Sequence, residues 1–416
     1  TICFLHAYRN PVHERQAKAV LQEAFPELYV SVSSEIWPQQ REYERALLTV
    51  MNAYVGGALE RYFAALEREV AREGLSCEPM STKSNGGVMS VRSASRLPVQ
   101  TLLSGPASGV RGAMFVGKLA GASQLITFDL GGTSADIAVV NGKVPYATEN
   151  KVADFPMIMP VVDITSIGAG GGSVAWTDAE GVLKVGPHSA GADPGPAAYD
   201  RGGQDATLTD AYLVAGLLDP GAFLGGRMPL RADRARAALE RLATRLRMSA
   251  AEAADAVIRV ATANMYAELL PLMARAGADA EAFALVPYGG AGPTHAFLLA
   301  AEVGIRRVVV PLQPGTLCAL GCLIADVQGD FIRTVPASAD GLSDSDLAAL
   351  YRGLTEEARG WLAAQSAPAR RVTLHYGADM RYHGQSFETP VAAGTAEPAS
   401  VSRLHAAFHD QYRQVY

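Results

Sequence analysis

Cysteine, positive charge and long apolar runs are all scarce in this chain of 416 residues, and each scarcity removes a class of protein. Four cysteines (Cys3, Cys77, Cys318, Cys322) are too few and too irregularly spaced for a disulfide framework. Cys318 and Cys322 lack the two further ligands a zinc site needs, so all four read as buried free thiols in a reducing, cytoplasmic compartment. With 36 Lys and Arg against 42 Asp and Glu, the net charge of −6 argues against a nucleic-acid partner. No apolar run approaches the roughly 18 residues of a membrane span. No Gly-X4-Gly-Lys-Ser/Thr loop occurs. The glycines of Gly168-Ala-Gly-Gly-Gly-Ser173 are followed by a hairpin pattern, Ser173-Val-Ala-Trp176 and Val182-Leu-Lys-Val185, where a dinucleotide fingerprint requires a helix. Disorder is excluded as well, because 49% of residues are hydrophobic and only 19% are charged. At roughly 150 residues per domain, two or three domains are expected. Thr1-Ile-Cys-Phe-Leu5 reads as a buried strand without a leader, and a helical pattern is still running at Tyr416, so the sequence reads as a piece of a longer protein.

What the chain does have is glycine at turns. Leu125-Ile-Thr-Phe-Asp-Leu-Gly-Gly-Thr-Ser-Ala-Asp-Ile-Ala-Val-Val140 places two β-branched, apolar runs around Gly131-Gly132-Thr133-Ser134. That pattern predicts a tight β-hairpin, with a third strand, Val144 to Thr148, after Asn141-Gly142. Without Cβ atoms at two successive positions, phosphate oxygens can approach the main-chain N–H groups closely. Asp129 ends the incoming strand beside the turn. A carboxylate there repels phosphate unless a divalent cation, held through its waters, sits between them. The alternative is a plain hairpin with a strand-end aspartate.

Other segments follow in a readable order. Short strands are expected at Thr1 to Leu5 and Tyr29 to Val32, with a helix entered at Pro11 between them. Apolar positions at helical spacing predict one long helix from Glu42 to Arg72, in which Gly56-Gly57 marks a kink or a close contact. A small-residue helix begins at Ser104, and its first N–H groups suit an anion. Val161 to Ile167 reads as a strand. Pro187 to Pro196 reads as a stiff loop. Helices are expected over Ala232 to Leu246 and, behind the capping box Ser249-Ala-Ala-Glu252, as far as Ala274. Phe283 to Tyr288, Gly289-Gly-Ala-Gly-Pro293, a helix to Val303 and the strand Arg307 to Pro311 form an α/β crossover unit. Beyond Ala337, a helix from Ser343 to Gln365, strands at Arg371 to Tyr376, Asp379 to Tyr382 and Phe387 to Val391, and a helix from Ser400 suggest a separate α+β module.

Taken together, these stretches resemble the hydantoinase A/oxoprolinase family. They are Tyr8-Arg-Asn-Pro-X-His-Glu14, Glu42-Tyr-Glu-Arg45, Asn52-Ala-Tyr54, Ser84-Asn-Gly-Gly87, Ser104-Gly-Pro-Ala107 and Asp129-X-Gly-Gly-Thr-Ser134. The series continues through Gly168 to Ser173, Ser189 to Pro196, Thr209-Asp-Ala211, Gly289-Gly-Ala-Gly-Pro293, Ala319-Leu-Gly321 and Arg381-Tyr-X-Gly-Gln385. Ala198-Tyr199-Asp200 departs from the family, which usually has Cys-Tyr-Gly there. The resemblance implies an α/β fold with an actin, sugar kinase and Hsp70-like ATPase core of ribonuclease H-like domains. Residues 1–97 would complete a first ATPase-like domain, 98–336 form the nucleotide-binding core, and 337–416 a truncated C-terminal α+β module. Such a core carries two phosphate hairpins, and the one missing here would lie upstream of Thr1.

For function, the resemblance implies an ATP- and Mg2+-dependent enzyme that phosphorylates the carbonyl of a cyclic amide (hydantoin, oxoproline or lactam) for ring opening. A close variant is a subunit of an acetone- or acetophenone-type ketone carboxylase, and a rival of another class is a chaperone-like or activase ATPase. A hydantoinase B-type subunit or fused domain is the implied partner, within an oligomer. Asp129 is expected to organise Mg2+ and to be catalytic, with Asp136 as a candidate base. Gly131, Gly132, Thr133 and Ser134 would hold phosphate, Gly289, Gly290 and Gly292 would meet adenosine or its phosphates, and Gly170, Gly171 and Gly172 would line the cleft. Asp193 and Asp210 are candidate supporting groups behind these. His6, Arg9 and His13 either face substrate or are surface or buried structural residues, and His405 and His409 read as ordinary helix residues.

Overall fold

The structure, a computed structural model, describes residues 1–147, 150–152, 155–335, 338–365, 369–398 and 400–415. Its centre is a five-stranded mixed sheet. The elements that build the site are, in chain order, α1 (Val12–Ala24), α2 (Glu42–Arg72), α3 (Ser104–Leu119), β1 (Gln124–Leu130), β2 (Ala135–Asn141), β3 (Thr165–Ile167), and the hairpin β4 (Ser173–Thr177) and β5 (Leu183–Ser189). There follow α4 (Leu208–Val214), α5 (Ala232–Leu246), α6 (Ala250–Arg275), β6 (Ala284–Tyr288), α7 (Gly292–Val303), β7 (Arg307–Val308) and α8 (Leu317–Ile324). The sheet order is β7-β6-β1-β2-β3, with β7, β6 and β1 parallel and the β1-β2-β3 pairs antiparallel.

β1 is apolar at nearly every position because both of its faces are covered. Ile126, Phe128 and Leu130 pack with α4, α5, α6 and α7 on one side, whereas Leu125 packs with α3 and Leu317 of α8 on the other. Small residues bring α3 and α8 close: a Cβ on Gly112 would lie 2.7 Å from the Leu317 carbonyl oxygen, and one on Gly321 would overlap the Ser108 carbonyl. Gly117 of α3 sits against Leu125 at the start of β1, and Gly109 against Tyr288 at the end of β6. The first residues of α3, Ser104 and Gly105, therefore point toward the ends of β1 and β6 where the glycine turns lie.

The long helix, the hairpin and the crossover unit occur where the sequence predicts them. Gly56 in α2 marks a close contact, since a Cβ there would overlap the Tyr29 ring. The single strand expected at Val161 to Ile167 divides into Val161–Val162 and β3, and the loop expected from Pro187 starts only after β5 ends at Ser189. Three larger expectations change. The strands at Thr1 to Leu5 and Tyr29 to Val32 reduce to one parallel bridge, Ile2 to Val32. Phe4 instead satisfies its backbone through side chains, donating to Glu14 Oε1 at 2.7 Å and accepting from Arg45 Nη2 at 3.0 Å. The third strand does not extend the hairpin: Tyr146–Ala147 pairs with Val161–Val162, and β3 takes the place beside β2. Pro145, which has no N–H to give a ladder, precedes that short strand, and Thr148 lies outside the described residues.

The third change is toward the C-terminus. Helix α9 (Asp344–Ala363) has the expected Ser343 cap, but among the described residues two strands follow where three were expected, β8 (Tyr376–Met380) and β9 (Thr389–Gly394), before α10 (Val401–Val415). Arg381 to Gln385 is the turn region between them, where Tyr382 and Gln385 exchange hydrogen bonds. The expected boundary at 336–337 lies outside the described residues. Segment 326–330 is bound to the loop at 83–90: Val88 bridges Val327, Lys83 Nζ donates to the Gln328 carbonyl at 2.9 Å, and Asn85 donates to Asp330 at 2.6 Å. Burial lowers the Lys83 ammonium pKa, opposed by the nearby Asp330 carboxylate. Among the described residues, no helix is long and apolar enough to cross a membrane.

Candidate functional site

Three glycine turns meet at the carboxyl ends of β1 and β6. The Gly131 to Ser134 turn closes the β1-β2 hairpin through a Gly131 N–H bond to the Ser134 carbonyl at 3.0 Å. That bond uses the Gly131 amide. The amides of Gly132 and Thr133, both exposed, have no protein acceptor among the described residues. The tip thus presents the free amides of Gly132 and Thr133, with the Thr133 and Ser134 hydroxyls alongside, an arrangement of donors that suits an anion.

The second turn lies beneath the first. Gly171 N–H donates to the Gly131 carbonyl at 2.9 Å and Gly172 N–H to the Gly132 carbonyl at 2.7 Å. Gly170 N–H donates to Ser173 Oγ at 2.8 Å. A Cβ on Gly170 would sit 2.6 Å from Gly132 C and Thr133 N, so glycine is what lets one backbone lie on the other. Gly170, Gly171 and Gly172, expected to line the cleft, are instead buried with all three amides used, and they brace the hairpin.

The third turn follows β6. Gly289 has φ +78°, and a Cβ on it would overlap Asp129 Oδ1 and approach the Leu130 carbonyl to 2.6 Å. Gly289 N–H donates to the Pro314 carbonyl at 3.0 Å and Ala291 N–H to the Leu130 carbonyl at 2.9 Å. Gly292, buried, starts α7 against the Phe128 carbonyl. Gly290 is exposed, with its amide unpaired among the described residues.

Between the first and third turns, four residues form one row across four strands. Tyr288 pairs with Asp129, Asp129 with Asp136, and Asp136 with Ser166. Directly opposed residues share a face, so both carboxylates face the α3 and α8 side. Burial raises the Asp129 pKa, Asp136 raises it further, and a hydrogen bond from Cys318 opposes them. The Cys318 thiol donates to Asp129 Oδ2 at 3.6 Å and is itself pushed up to about 12, first by burial and then by Asp129. Ser166 Oγ donates to Asp136 Oδ1.

The outlying candidates separate. Asp210 is fully buried and accepts from the Ala197 and Ala198 amides and from Thr207, fixing the end of the Pro-Gly-Pro loop, whereas Asp193 is exposed. His6 is exposed beside Glu42, and Arg9 and His13 are exposed on the same segment. His409 hydrogen-bonds to Tyr382 at 2.8 Å, and the described residues contain no group of three or more His, Cys, Asp or Glu that could hold a metal. The thiols differ from expectation: Cys77 and Cys322 are exposed and Cys3 and Cys318 half-buried, all four free. The apolar run around Cys318 and Cys322 gave no sign of which face of α8 each occupies, and Cys3 and Cys77 lie outside any helix. The sequence reading also missed Cys318 as a partner of Asp129 and Ser166 as a partner of Asp136. Cys318 directly precedes Ala319-Leu-Gly321, which was the available signal.

Fold and turns together define an α/β protein whose glycine bends converge beside a carboxylate pair at one end of a mixed sheet. A family model described as hydantoinase/oxoprolinase matches residues 45–330, and the chain belongs to that family. It is 32% identical to the caprolactamase subunit alpha of Pseudomonas jessenii over 100% of this chain and 61% of that protein. It is 28% identical to the acetone carboxylase beta subunit of Xanthobacter autotrophicus over 100% of this chain and 60% of the relative. The solved ATP-dependent caprolactamase of Pseudomonas jessenii superposes with a TM-score of 0.83 at 31% identity, covering 100% of this chain and 61% of that one. The chain thus spans about three fifths of the length of these relatives.

Proposed function

We propose that this chain holds MgATP at the converging turns and uses it to activate the carbonyl of a cyclic amide for ring opening. The observation that carries the reading is the pair of outward amides, Gly132 and Thr133, set beside the Asp129–Asp136 pair in a member of this family. The residues present fit a hydrated Mg2+. Two neighbouring carboxylates, with no third protein ligand among the described residues, suit an ion that keeps its waters and bonds phosphate, not a closed protein cage. When bound, Mg2+ neutralises phosphate charge. Asp129 would hold the ion's waters, Gly132, Thr133 and Gly290 would donate to phosphate oxygens, and Asp136 is the candidate to accept a proton.

In the proposed reaction the amide, losing its N–H proton, attacks the γ-phosphorus through its carbonyl oxygen. An O–P bond forms, the bond to the β-phosphate oxygen breaks, and ADP leaves. The resulting imidic phosphate is far more open to water than the amide. The protein's share is positioning and charge compensation. The part at 98–336 would be the actin-like nucleotide core, with 1–97 belonging to a first domain and 337–416 to a C-terminal module. A hydantoinase B-type subunit or fused domain would complete the hydrolysis within an oligomer.

Likeness to a carboxylase subunit supports a second reading, in which an enolised ketone oxygen is phosphorylated for attack on bicarbonate. One assay separates them. ATP turnover by the protein with its partner is followed against lactams, hydantoins, oxoproline and ketones, with and without bicarbonate. Stimulation by a cyclic amide alone supports the first reading, and bicarbonate-dependent stimulation by a ketone supports the second. Turnover indifferent to every compound overturns both and favours an activase-like ATPase.

A further inference from the structure

One short helix, α4, is tied directly to one of the three glycine turns and to the helix that leaves another. Thr209 donates to the Gly171 carbonyl twice, from its N–H at 2.7 Å and from Oγ1 at 2.7 Å. Gly171 N–H in turn donates to the Gly131 carbonyl at 2.9 Å, so Thr209 lies one residue away from the hairpin tip. Three residues along the same helix, the Tyr212 hydroxyl meets His295 Nδ1 at 2.7 Å. His295 sits in the first turn of α7, directly after the Gly289 to Gly292 bend.

The roles within this contact are fixed by the neighbours. Thr262 Oγ1 gives its proton to the Ile258 carbonyl at 2.8 Å, so toward His295 Nε2, 3.2 Å away, it acts as acceptor. Nε2 therefore carries the imidazole proton, and Nδ1 accepts from Tyr212. Burial lowers the imidazole to about 4, consistent with a neutral ring. Tyr212 and His295 are buried and Thr209 is 6% exposed, so these side chains act on a ligand only through the turns they hold. A run of glycines has no side chains to fix its own shape and loses more freedom on ordering than other residues do. Its geometry must be imposed from outside.

We propose that Thr209 and Tyr212 are positioning residues for phosphate binding, setting from one helix the spacing between the Gly131–Gly132 bend and the Gly289–Gly292 bend. The proposal rests on the MgATP reading above. Valine at 209 keeps the shape and removes one of the two donors on a buried carbonyl, leaving the backbone bond. Serine restores the hydroxyl.

The test titrates ATP and adenosine, each with Mg2+, into the full chain and into Thr209→Val, Thr209→Ser and Tyr212→Phe, and follows amide exchange over residues 129–135. Thr209→Val is expected to weaken ATP roughly tenfold, as for one lost buried hydrogen bond, with adenosine within about twofold. Thr209→Ser is expected within about threefold of the parent for both ligands. Exchange over 129–135 rises in Thr209→Val and returns toward the parent value in Thr209→Ser. Equal weakening of ATP and adenosine, or no weakening of ATP, overturns the proposal. Failure of the parent protein to bind ATP refutes the MgATP reading instead, and unchanged exchange in Thr209→Val then decides against the positioning role as well. If Thr209→Val does not fold, Tyr212→Phe carries the same ATP-against-adenosine comparison.

Discussion

Asp129 and Asp136 stand directly opposite each other across the β1-β2 hairpin, two carboxylates on one face with Ser166 and Cys318 as their hydrogen-bonding neighbours. Like charges opposed in a sheet destabilise it by up to about 1 kcal/mol. Asp136→Asn is therefore expected to raise the melting temperature of the ligand-free protein by roughly 1–3 °C. Asp129→Asn, in contrast, is expected to lose most of the parent's thermal stabilisation by Mg2+ with ATP. A calorimetric scan of each protein, with and without Mg2+ and ATP, reads both effects. A destabilised ligand-free variant would contradict this account of the pair.

Glycines at the site divide by what a methyl group would meet. A Cβ at Gly170 runs into the backbone of Gly132 and Thr133, while at Gly132 and Gly290 nothing lies within 4 Å. Gly170→Ala is expected to cost about 2–4 kcal/mol in denaturant unfolding, since neither backbone can move aside cheaply. Gly132→Ala and Gly290→Ala are expected to change stability by no more than about 1 kcal/mol. Their effect should appear in ATP affinity, where the added methyl meets the incoming phosphate. Parent-like affinity in both variants would mean that the ligand does not approach these residues.

Acid should weaken the protein through His295. Its imidazole has fallen from the ordinary 6.5 to about 4 because burial penalises the charged form. A base depressed on folding gives a contribution that is complete above 6.5 and lost as the pH falls from 6.5 to about 4. That interval corresponds to about 3 kcal/mol. His295→Gln, which does not titrate, is expected to flatten this portion of the stability–pH curve measured by urea unfolding. An unchanged slope would assign the loss to other groups.

Thiol labelling provides an inexpensive check on the Asp129 surroundings. Cys77 and Cys322 are exposed, while Cys318 is half-buried and pushed up to about 12 beside a carboxylate. Alkylation at neutral pH is expected to modify Cys77 and Cys322 first, with Cys318 slower by at least about tenfold, because the thiolate is the reacting form. Peptide mass spectrometry after timed iodoacetamide treatment resolves the three. Cys318 reacting as fast as Cys322 would place it away from Asp129.

Much of this architecture is legible in residue order because local signals and burial agree. The 31 residues of α2 start and stop at the expected positions, and Ser249 and Ser343 both cap their helices as their spacing predicts. The strands expected at the amino terminus reduce to a single bridge for a physical reason. Phe4 resembles a ladder residue, yet its N–H and carbonyl are taken by Glu14 and Arg45, side chains 10 and 41 positions away. Arg45 is itself fully buried, bonded to Ser33 Oγ, which donates to Glu14. Glycine turns were visible as turns, but which of them supports another depends on long-range backbone contact. Gly131 and Gly171 are 40 residues apart, and no local pattern announces their bond.

A bare peptide bend offers lone pairs and protons alike, and so shows no preference for the sign of an ion. At the hairpin tip the lone pairs of Gly131 and Gly132 are turned inward and occupied by Gly171 and Gly172, leaving protons on the outside. The bend has in effect been rectified. The two inner carbonyls are closed to a cation, whereas an anion would meet the free Gly132 and Thr133 N–H groups.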